Sequence, residues 1–202
     1  MTTPERITTI VLAAGKSSRT GRSNKLFFPL GRATVLEAVV SKALLAGNET
    51  IVVTGHQSER VEALLSAYDV RIVYNTQFDS GMASSIVCGV RDSEDTDGFL
   101  IWPGDMPLVR SETVEKIRSR ATAGRIALPS FEGRRGHPVL FSKAFRNKLL
   151  SLSGDVGART ILSDNPGAVD EIPVSDAGIL VDVDTREAHA ELVRELSAGR
   201  SD

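Results

Sequence analysis

The sequence alternates between short apolar runs and longer segments of helical periodicity, and this alternation limits the folds open to it. The short runs predict buried strands: Ile7–Leu12, Thr50–Thr54, Val70–Tyr74, Gly98–Trp102 and Arg125–Leu128. The segments between them predict helices: from a Thr34–Glu37 capping box to Gly47, Ser58–Ala67, Ser84–Arg91 and Ser111–Ala123. Such alternation predicts an α/β fold, a three-layer sandwich with a mainly parallel sheet, helices on both faces and right-handed crossovers.

The order of predicted elements changes after Gly133. The later segments predict a strand, two short helices and a returning strand: Pro138–Phe141, Lys143–Leu150, Val156–Ser163 and Gly178–Val181. A last helix is predicted after Thr185. Because no linker rich in proline, glycine or serine interrupts the chain, we expect one domain over residues 1–202.

Composition excludes several classes of protein. The chain has 24 Lys and Arg residues against 26 Asp and Glu residues, so nothing indicates a nucleic-acid-binding surface. Cys88 is the one cysteine, which rules out a disulfide within the chain and favours a reducing, cytoplasmic location. No run of about eighteen apolar residues predicts a membrane span. We therefore expect a cytoplasmic protein that binds anionic ligands through a few positively charged or N–H groups at the binding site.

The loop after the first predicted strand combines small residues with cations. Residues 12–25 read LAAGKSSRTGRSNK. Small residues let backbone N–H groups approach phosphate oxygens, and Arg19 and Lys25 supply positive charge. The spacing matches neither the P-loop nor the dinucleotide fingerprint, and a flexible turn with solvated cations is the alternative interpretation. The composition of the loop therefore indicates a binding site for a nucleotide triphosphate at the carboxyl edge of the sheet.

Carboxylates follow two other predicted strands. Asp105 lies in WPGDMP, where it is placed to reach a metal ion on triphosphate oxygens, or merely to cap a turn. Asp182 and Asp184 lie in VDVDT, and strand alternation would point both into the same crevice. The alternative is that Asp184 or Thr185 caps the last helix. These side chains predict a magnesium (Mg2+) site, because magnesium prefers oxygen ligands.

A third loop, NTQFDSGMASS at residues 75–85, opens a predicted helix at the same edge. Its hydroxyl and N–H groups suit contact with a base edge or a phosphate, although helix capping would explain them too.

These motifs together resemble those of the MobA-like nucleotidyltransferase family. The likeness rests on LAAGxSxRxGxxxK, GMASS and GDMP, and extends to GHPVLF at 136–141, GDVGAR at 154–159 and DVDT at 182–185. Within that family the chain most resembles the molybdenum cofactor cytidylyltransferases. The resemblance covers most of the chain, and GMASS with GHPV is its narrowest part.

The resemblance implies a Rossmann-like fold of the GT-A-like nucleotidyltransferase type. It also implies transfer of CMP from CTP to the phosphate of molybdopterin or molybdenum cofactor, with magnesium and release of pyrophosphate. It implies roles for Arg19, Lys25 and Asp105 in catalysis. It implies nucleotide contacts from Leu12, Ala13, Ala14, Gly15, Arg19, Lys25, Asn75, Gly81, Ser84 and Gly104. It further implies an acceptor site formed by Gly136, His137 and Pro138. It also implies a metal site formed by Asp105, Asp182 and Asp184.

The resemblance also divides the chain into a nucleotide-binding part of about 5–130, an acceptor-side insertion of about 131–177, and a returning strand and helix of about 178–198. Guanylyltransferase relatives typically have two glycines where this chain has Ala13 and Ala14, and the added methyl groups favour the smaller base of CTP. We expect His137 to orient or contact the acceptor. Arg134 and Arg135 either attract its phosphate or form an ordinary basic turn.

The chemistry itself needs no general base, because the acceptor phosphate is already an oxyanion near neutral pH. Positioning and charge neutralisation then carry the reaction. The alternatives are a GTP-dependent guanylyltransferase, a sugar-phosphate nucleotidyltransferase, and a non-catalytic carrier that delivers the cofactor to a recipient molybdoenzyme.

Overall fold

A computed structural model describes residues 6–16, 24–155, 157–185 and 189–190. Its strands, in chain order, are β1 (Ile7–Ala13), β2 (Pro29–Leu30), β3 (Ala33–Thr34), β4 (Glu49–Thr54), β5 (Arg71–Tyr74), β6 (Gly98–Pro103), β7 (Ile126–Phe131), β8 (Arg134–Arg135), β9 (Val139–Ser142) and β10 (Val169–Pro173). Its α-helices are α1 (Val35–Ala46), α2 (Ser58–Leu64), α3 (Met82–Asp92), α4 (Ser111–Ser119), α5 (Arg146–Leu150) and α6 (Arg159–Asp164).

The main sheet is mixed but mainly parallel. Its strands lie in the order β10-β7-β9-β6-β1-β4-β5, and β8 pairs with β7. β1 runs parallel to both β4 and β6, with Val11 opposite Val52 on one side and Trp102 on the other. β9 runs antiparallel to β6 and β7. The carboxyl ends of β1, β4, β5 and β6 therefore meet the amino end of β9 at one edge of the sheet.

Helices cover both faces of the sheet, which explains why its central strands consist mostly of apolar residues. In β1, Val11 packs into the cluster that includes buried residues of α1, α2 and α4. Ile10, on the opposite face, packs into the cluster that includes residues of α3, α5 and α6. The predicted three-layer sandwich is confirmed.

The start and end of α1 also agree with the sequence. The Glu37 amide donates to Thr34 Oγ1 at 3.3 Å, and the Thr34 amide donates to Glu37 Oε2 at 2.7 Å. Gly47 follows the helix, and a Cβ added there would lie 2.6 Å from Thr9 Oγ1. The capping box fixes where α1 begins, and close packing against β1 requires a glycine after it.

The predicted strand at Gly178–Val181 is wrong, and residues Ala177–Leu180 form a 3₁₀ turn. The carboxylate of Asp176, which is buried, accepts hydrogen bonds from the Gly178 amide at 3.0 Å and the Arg110 amide at 2.9 Å. A side chain that bonds to a backbone N–H two residues later favours a turn over a strand.

Four strands are missing from the sequence analysis: the two-residue strands β2, β3 and β8, and the longer β10, which runs parallel to β7 at the edge of the sheet. Its residues Asp170 and Glu171 form ion pairs with Arg125 and Arg135. An edge strand is partly exposed to water, so its sequence lacks the apolar run that marks the central strands.

Other helix boundaries shift by a few residues. The predicted Val156–Ser163 helix is α6, the Ser111–Ala123 helix is α4, and Lys143–Leu150 divides into a 3₁₀ turn and α5. Of the predicted last helix only residues 189–190 are described, so its extent lies outside the described residues. Among the described helices, none combines the length and apolar composition that a membrane crossing requires.

Replacing Asp176 with Ala is expected to lower the free energy of unfolding by about 3 kcal/mol, because buried donors would lose their acceptor. Besides the two amides, the Thr113 hydroxyl donates to this carboxylate at 2.6 Å. Urea denaturation measures the loss, with Asp164→Ala at the end of α6 as the control. A loss below about 0.5 kcal/mol, the range of ordinary surface substitutions, would contradict the account.

Candidate functional site

An open cavity of about 510 Å³ lies at the carboxyl edge of the sheet. Loops that follow β1, β5 and β6 form most of it, together with Asp155 and Asp184. Its size suits a nucleotide-sized ligand. Its lining is Leu12, Ala13, Ala14, Gly15, Lys16, Lys25, Leu26, Phe78, Asp79, Gly81, Met82, Ser85, Pro103, Asp105, Asp155 and Asp184.

Lys25 joins two carboxylates beside this cavity. Its Nζ lies 2.5 Å from Asp105 Oδ2 and 2.6 Å from Asp184 Oδ1. Lys25 begins a 3₁₀ turn that Asn24 caps by accepting a hydrogen bond from the Leu26 amide at 3.1 Å. Asp105 follows β6 by two residues. The ion pairs therefore connect three segments that are far apart in the sequence.

The two acidic residues near the carboxyl end are positioned by the residue between them. The Val183 amide donates to the Asp105 carbonyl at 2.9 Å, and the Val183 side chain is buried against Val35. Asp182 and Asp184 lie on either side of Val183, and this segment does not form a strand. The predicted strand alternation was thus the wrong reason for grouping them, although both carboxylates lie near Asp105.

These carboxylates fit a hard divalent cation. One carboxylate oxygen from each of Asp105, Asp182 and Asp184 lies within 4.8 Å of the other two. Oxygen donors of this kind are what magnesium and manganese prefer. The Lys25 ammonium between two of them shows that this position stabilises positive charge.

The surrounding charges alter two pKa values. Burial alone would lower the pKa of Lys25, but the charges of Asp105 and Asp184 and the hydrogen bonds to them raise it above its usual value. Burial and the neighbouring Asp184 and Asp105 raise the pKa of Asp182, although Lys25 opposes the shift. The carboxylates together carry more negative charge than Lys25 balances.

The small-residue loop lines the cavity from Leu12 to Gly15. Ala13 and Ala14 are buried, and the Ala14 carbonyl accepts a hydrogen bond from the His56 amide at 3.1 Å. Gly104 lies behind this loop, where its amide donates to the Leu12 carbonyl at 2.9 Å and an added Cβ would lie 2.8 Å from the same oxygen. Arg19 lies outside the described residues.

Asn75 organises the loop that ends at α3. Its amide group donates to Ser84 Oγ at 2.8 Å and to Ser85 Oγ at 3.1 Å, and its Oδ1 accepts from the Gln77 amide at 2.9 Å. These bonds engage the side-chain amide of Asn75, and neither Asn75 nor Ser84 is among the residues that line the cavity. Gly81 and Ser85 line the cavity itself.

Sequence reasoning missed Phe78 and Lys16 as lining residues. Lys16 forms an ion pair with Asp79 at 2.8 Å, and its Nζ lies 5.8 Å from the centre of the Phe78 ring. The Phe78 side chain packs where a Cβ on Gly55 would lie, at 2.5 Å from the Phe78 Cβ. The sequence signal that could have identified Phe78 is an aromatic residue within a loop that is otherwise rich in hydroxyl and amide side chains.

The Gly136–Pro138 turn precedes β9 and lies outside the cavity lining. The His137 amide donates to the Ile179 carbonyl at 3.0 Å, and a Cβ on Gly136 would lie 2.5 Å from that oxygen. Burial lowers the pKa of His137, with Asp105 opposing and Arg159 reinforcing the shift. His137 Nδ1 is buried and has no hydrogen-bond partner within the described part of the chain.

Fold, cavity and acidic cluster together define a nucleotidyltransferase-type site. The sequence profile of the MobA-like NTP transferase domain matches residues 9–171. The chain therefore belongs to the MobA-like NTP transferase family.

Two curated relatives carry different names. Nicotine blue oxidoreductase from Paenarthrobacter nicotinovorans is 33% identical over 90% of this chain and 93% of its own length. Molybdenum cofactor cytidylyltransferase from Escherichia coli is 29% identical over 87% of this chain and 90% of its own length.

Solved structures give the same fold. A nucleotidyl transferase from Methanothermobacter thermautotroptrophicus superposes with a TM-score of 0.86 and 26% identity, covering 96% of this chain and 99% of its own. The manganese complex of Rv0371C from Mycobacterium tuberculosis has a TM-score of 0.79 and 26% identity, with 94% and 98% covered. The fold is of the GT-A-like nucleotidyltransferase type, as the sequence predicts.

Replacing Asp182 with Asn is expected to stabilise the protein at pH 7 when no divalent cation is present. The pKa of Asp182 is raised from 3.8. Ionising it therefore costs more in the folded state. This cost is absent below the unfolded pKa, grows between the unfolded and the folded pKa, and is fully present above the folded pKa. The gain is below about 1 kcal/mol because Asp182 is exposed.

Urea denaturation at pH 7 and pH 3 measures this effect, with the exposed Asp164→Asn as the matched control. The gain should vanish at pH 3. An equal gain at both pH values, or a loss at pH 7, would contradict the charge account of this cluster.

Proposed function

We propose that this protein transfers CMP from CTP to the phosphate of molybdopterin or molybdenum cofactor and releases pyrophosphate. The observation that carries the proposal is the meeting of Lys25, Asp105, Asp182 and Asp184 beside a cavity lined by Ala13–Gly15. The cytidylyltransferase relative supports the choice of reaction.

Charge balance supports a requirement for magnesium. The described cavity lining holds four carboxylates, Asp79, Asp105, Asp155 and Asp184, against two ammonium groups, Lys16 and Lys25. Both ammonium groups already pair with carboxylates. A triphosphate therefore needs an additional cation, which Asp105, with Asp182 or Asp184, would hold. Bound magnesium would neutralise phosphate oxygens in the displacement.

The remaining groups have distinct roles in this proposal. Lys25, with Arg19 from the preceding loop, stabilises charge on the phosphates of CTP. Backbone groups of Leu12–Gly15 and Gly81 contact the nucleotide, while Asn75, Ser84 and Gly104 hold those loops in position. The Gly136–Pro138 turn shapes the acceptor side.

The direct test is incubation of the purified protein with molybdopterin, magnesium and each of CTP, GTP, ATP and UTP, scoring pyrophosphate and the new dinucleotide. CTP should give the highest kcat/KM. Nucleotide binding without pyrophosphate release would instead favour a carrier, and faster turnover with a sugar phosphate would favour a different acceptor.

A second candidate function is oxidation or reduction of nicotine blue, favoured by the 33% identity to nicotine blue oxidoreductase over 90% of the chain. Incubation of the protein with nicotine blue and an added reductant, followed by the absorbance of the dye, separates the two functions. Dye turnover without pyrophosphate release in the molybdopterin assay would establish the second candidate.

Replacing Asp105 with Asn is expected to lower kcat by about 10²- to 10³-fold, the usual effect of removing one group that stabilises transition-state charge. Raising the magnesium concentration should recover part of the loss. Pyrophosphate release measures both, and Asp164→Asn is the control. Near-normal CTP consumption at limiting magnesium would contradict this role.

Replacing both Ala13 and Ala14 with Gly is expected to move nucleotide preference toward GTP by roughly tenfold, because removing two buried methyl groups enlarges the cavity. The measurement is the ratio of kcat/KM for GTP to kcat/KM for CTP. A loss of folded protein lowers both values equally, so the ratio needs no separate control for stability. An unchanged ratio would show that other residues select the base.

A further inference from the structure

The last described residues, 182–185 and 189–190, contact the small hairpin that β2 and β3 form. This hairpin follows the 3₁₀ turn that begins at Lys25, and β2 pairs antiparallel with β3. The Phe28 amide donates to the Lys25 carbonyl at 3.1 Å, and the Phe28 carbonyl accepts from the Val35 amide at 3.0 Å. The backbone at Phe28 is therefore joined both to the lysine turn and to the start of α1.

His189 attaches the carboxyl-terminal segment to this hairpin. Its Nε2 lies 2.6 Å from the Pro29 carbonyl oxygen, and because a carbonyl can only accept, the imidazole donates this hydrogen bond. Its ring packs against the Phe28 ring, with the ring centroids 5.0 Å apart. The His189 amide also donates to the Thr185 carbonyl at 3.1 Å. His189 therefore connects the hairpin to the residue that follows Asp184.

Val183 is a second attachment of the same segment. Its side chain is buried with Val35 in a small apolar cluster, and Phe28 packs against this cluster too. Its amide donates to the Asp105 carbonyl at 2.9 Å. Asp184 thus lies in the sequence between one attachment inside the protein and another, the imidazole, on the hairpin.

Asp184 needs these attachments because it lies among like charges. One carboxylate oxygen of each of Asp105, Asp182 and Asp184 lies within 4.8 Å of the other two, and like charges at that distance repel. The ion pair with Lys25 offsets part of this repulsion. Contacts elsewhere in the segment, such as those of His189, must hold the Asp184 backbone against the remainder.

We propose that His189 is a positioning residue for the acidic cluster: by fixing the carboxyl-terminal segment to the β2–β3 hairpin, it holds the Asp184 carboxylate against Lys25 and within reach of a divalent cation. His189 is not among the residues that line the cavity, so it acts through Asp184. The part of the proposal that concerns the cation rests on the proposed function. The part that concerns the pairing of Asp184 with Lys25 does not.

Chemical acetylation of Lys25 tests the pairing without metal or substrate. Acetylation by N-hydroxysuccinimidyl acetate requires the neutral amine, so the ion pairs that keep Lys25 protonated protect it. In the presence of EDTA, His189→Ala should raise the acetylation rate of Lys25 by about fivefold, the change that loss of one hydrogen bond produces in a local equilibrium. Mass spectrometry of the peptides measures the rate at each lysine.

Lys116 is the internal reference, since its Nζ donates to the Pro173 carbonyl at 2.6 Å on another part of the protein. Its acetylation rate should not change in His189→Ala. Leu45→Ala, which truncates a side chain that is 74% exposed, is the matched control and should leave both rates as in wild type. An unchanged rate at Lys25, or equal increases at Lys25 and Lys116 as general destabilisation would cause, would overturn the proposal.

Two conservative variants separate the contacts of the imidazole. His189→Gln keeps a side-chain N–H that can donate to the Pro29 carbonyl, and His189→Phe keeps a ring against Phe28. Each should therefore recover part of the protection of Lys25 that His189→Ala loses. The same increase in acetylation with Ala, Gln and Phe would show that neither contact matters and would overturn the proposal.

Binding of manganese (Mn2+) alone, followed by its electron paramagnetic resonance signal, tests the effect on the cation. The Kd for Mn2+ should rise by about fivefold in His189→Ala, because Asp184 is no longer held near Asp105. An unchanged Kd would overturn the proposal. A wild-type protein that binds no Mn2+ would instead contradict the cation site of the proposed function, and the acetylation of Lys25 would then decide the role of His189.

Discussion

The ion pairs of Lys25 with Asp105 and Asp184 are the interaction on which the site depends. Lys25 follows the first loop, Asp105 follows the central strand β6, and Asp184 lies near the carboxyl end of the described chain. The parallel arrangement of β1 and β6 brings the first two together at one sheet edge, and the Val183–Asp105 backbone contact brings the third. One cation thereby joins three distant segments.

The same interaction leaves an imbalance of charge. One ammonium group balances one carboxylate, yet Asp105, Asp182 and Asp184 lie within reach of each other. The raised pKa of Asp182, caused by burial and by its acidic neighbours, is the consequence of crowding these carboxylates. A divalent cation would remove that cost and provide a counter-charge for phosphates. In the proposed function, therefore, the carboxylates that lower stability without metal are the ones that would hold the cation.

Central parts of the fold could be predicted from sequence because buried strands such as β1 and β4 need apolar residues on both faces. β10 could not, because Asp170 and Glu171 on an edge strand satisfy their charges with distant arginines. The strand assigned to Gly178–Val181 failed because the Asp176 carboxylate holds a turn there: it accepts a hydrogen bond from the nearby Gly178 amide and from two donors far away in the sequence, the Arg110 amide and the Thr113 hydroxyl.

The same distinction applies to the site. Strand ends predicted the position of Asp105 and the Leu12–Gly15 loop, since parallel strands share a carboxyl edge. The hydrogen-bonding of Asn75 and the contact of Asp155 with α3 depend on partners that are distant or specific to the fold, so spacing alone gives no sign of them.

The central claim is that the acidic cluster binds a divalent cation and that Lys25 then serves the nucleotide. Anomalous diffraction from crystals grown with manganese and CTP tests it most directly. The account predicts a manganese peak within coordination distance of Asp105 and of Asp182 or Asp184, with Lys25 Nζ on a phosphate oxygen. A nucleotide bound with no manganese at these carboxylates, and Lys25 still paired with Asp105 and Asp184, would contradict it.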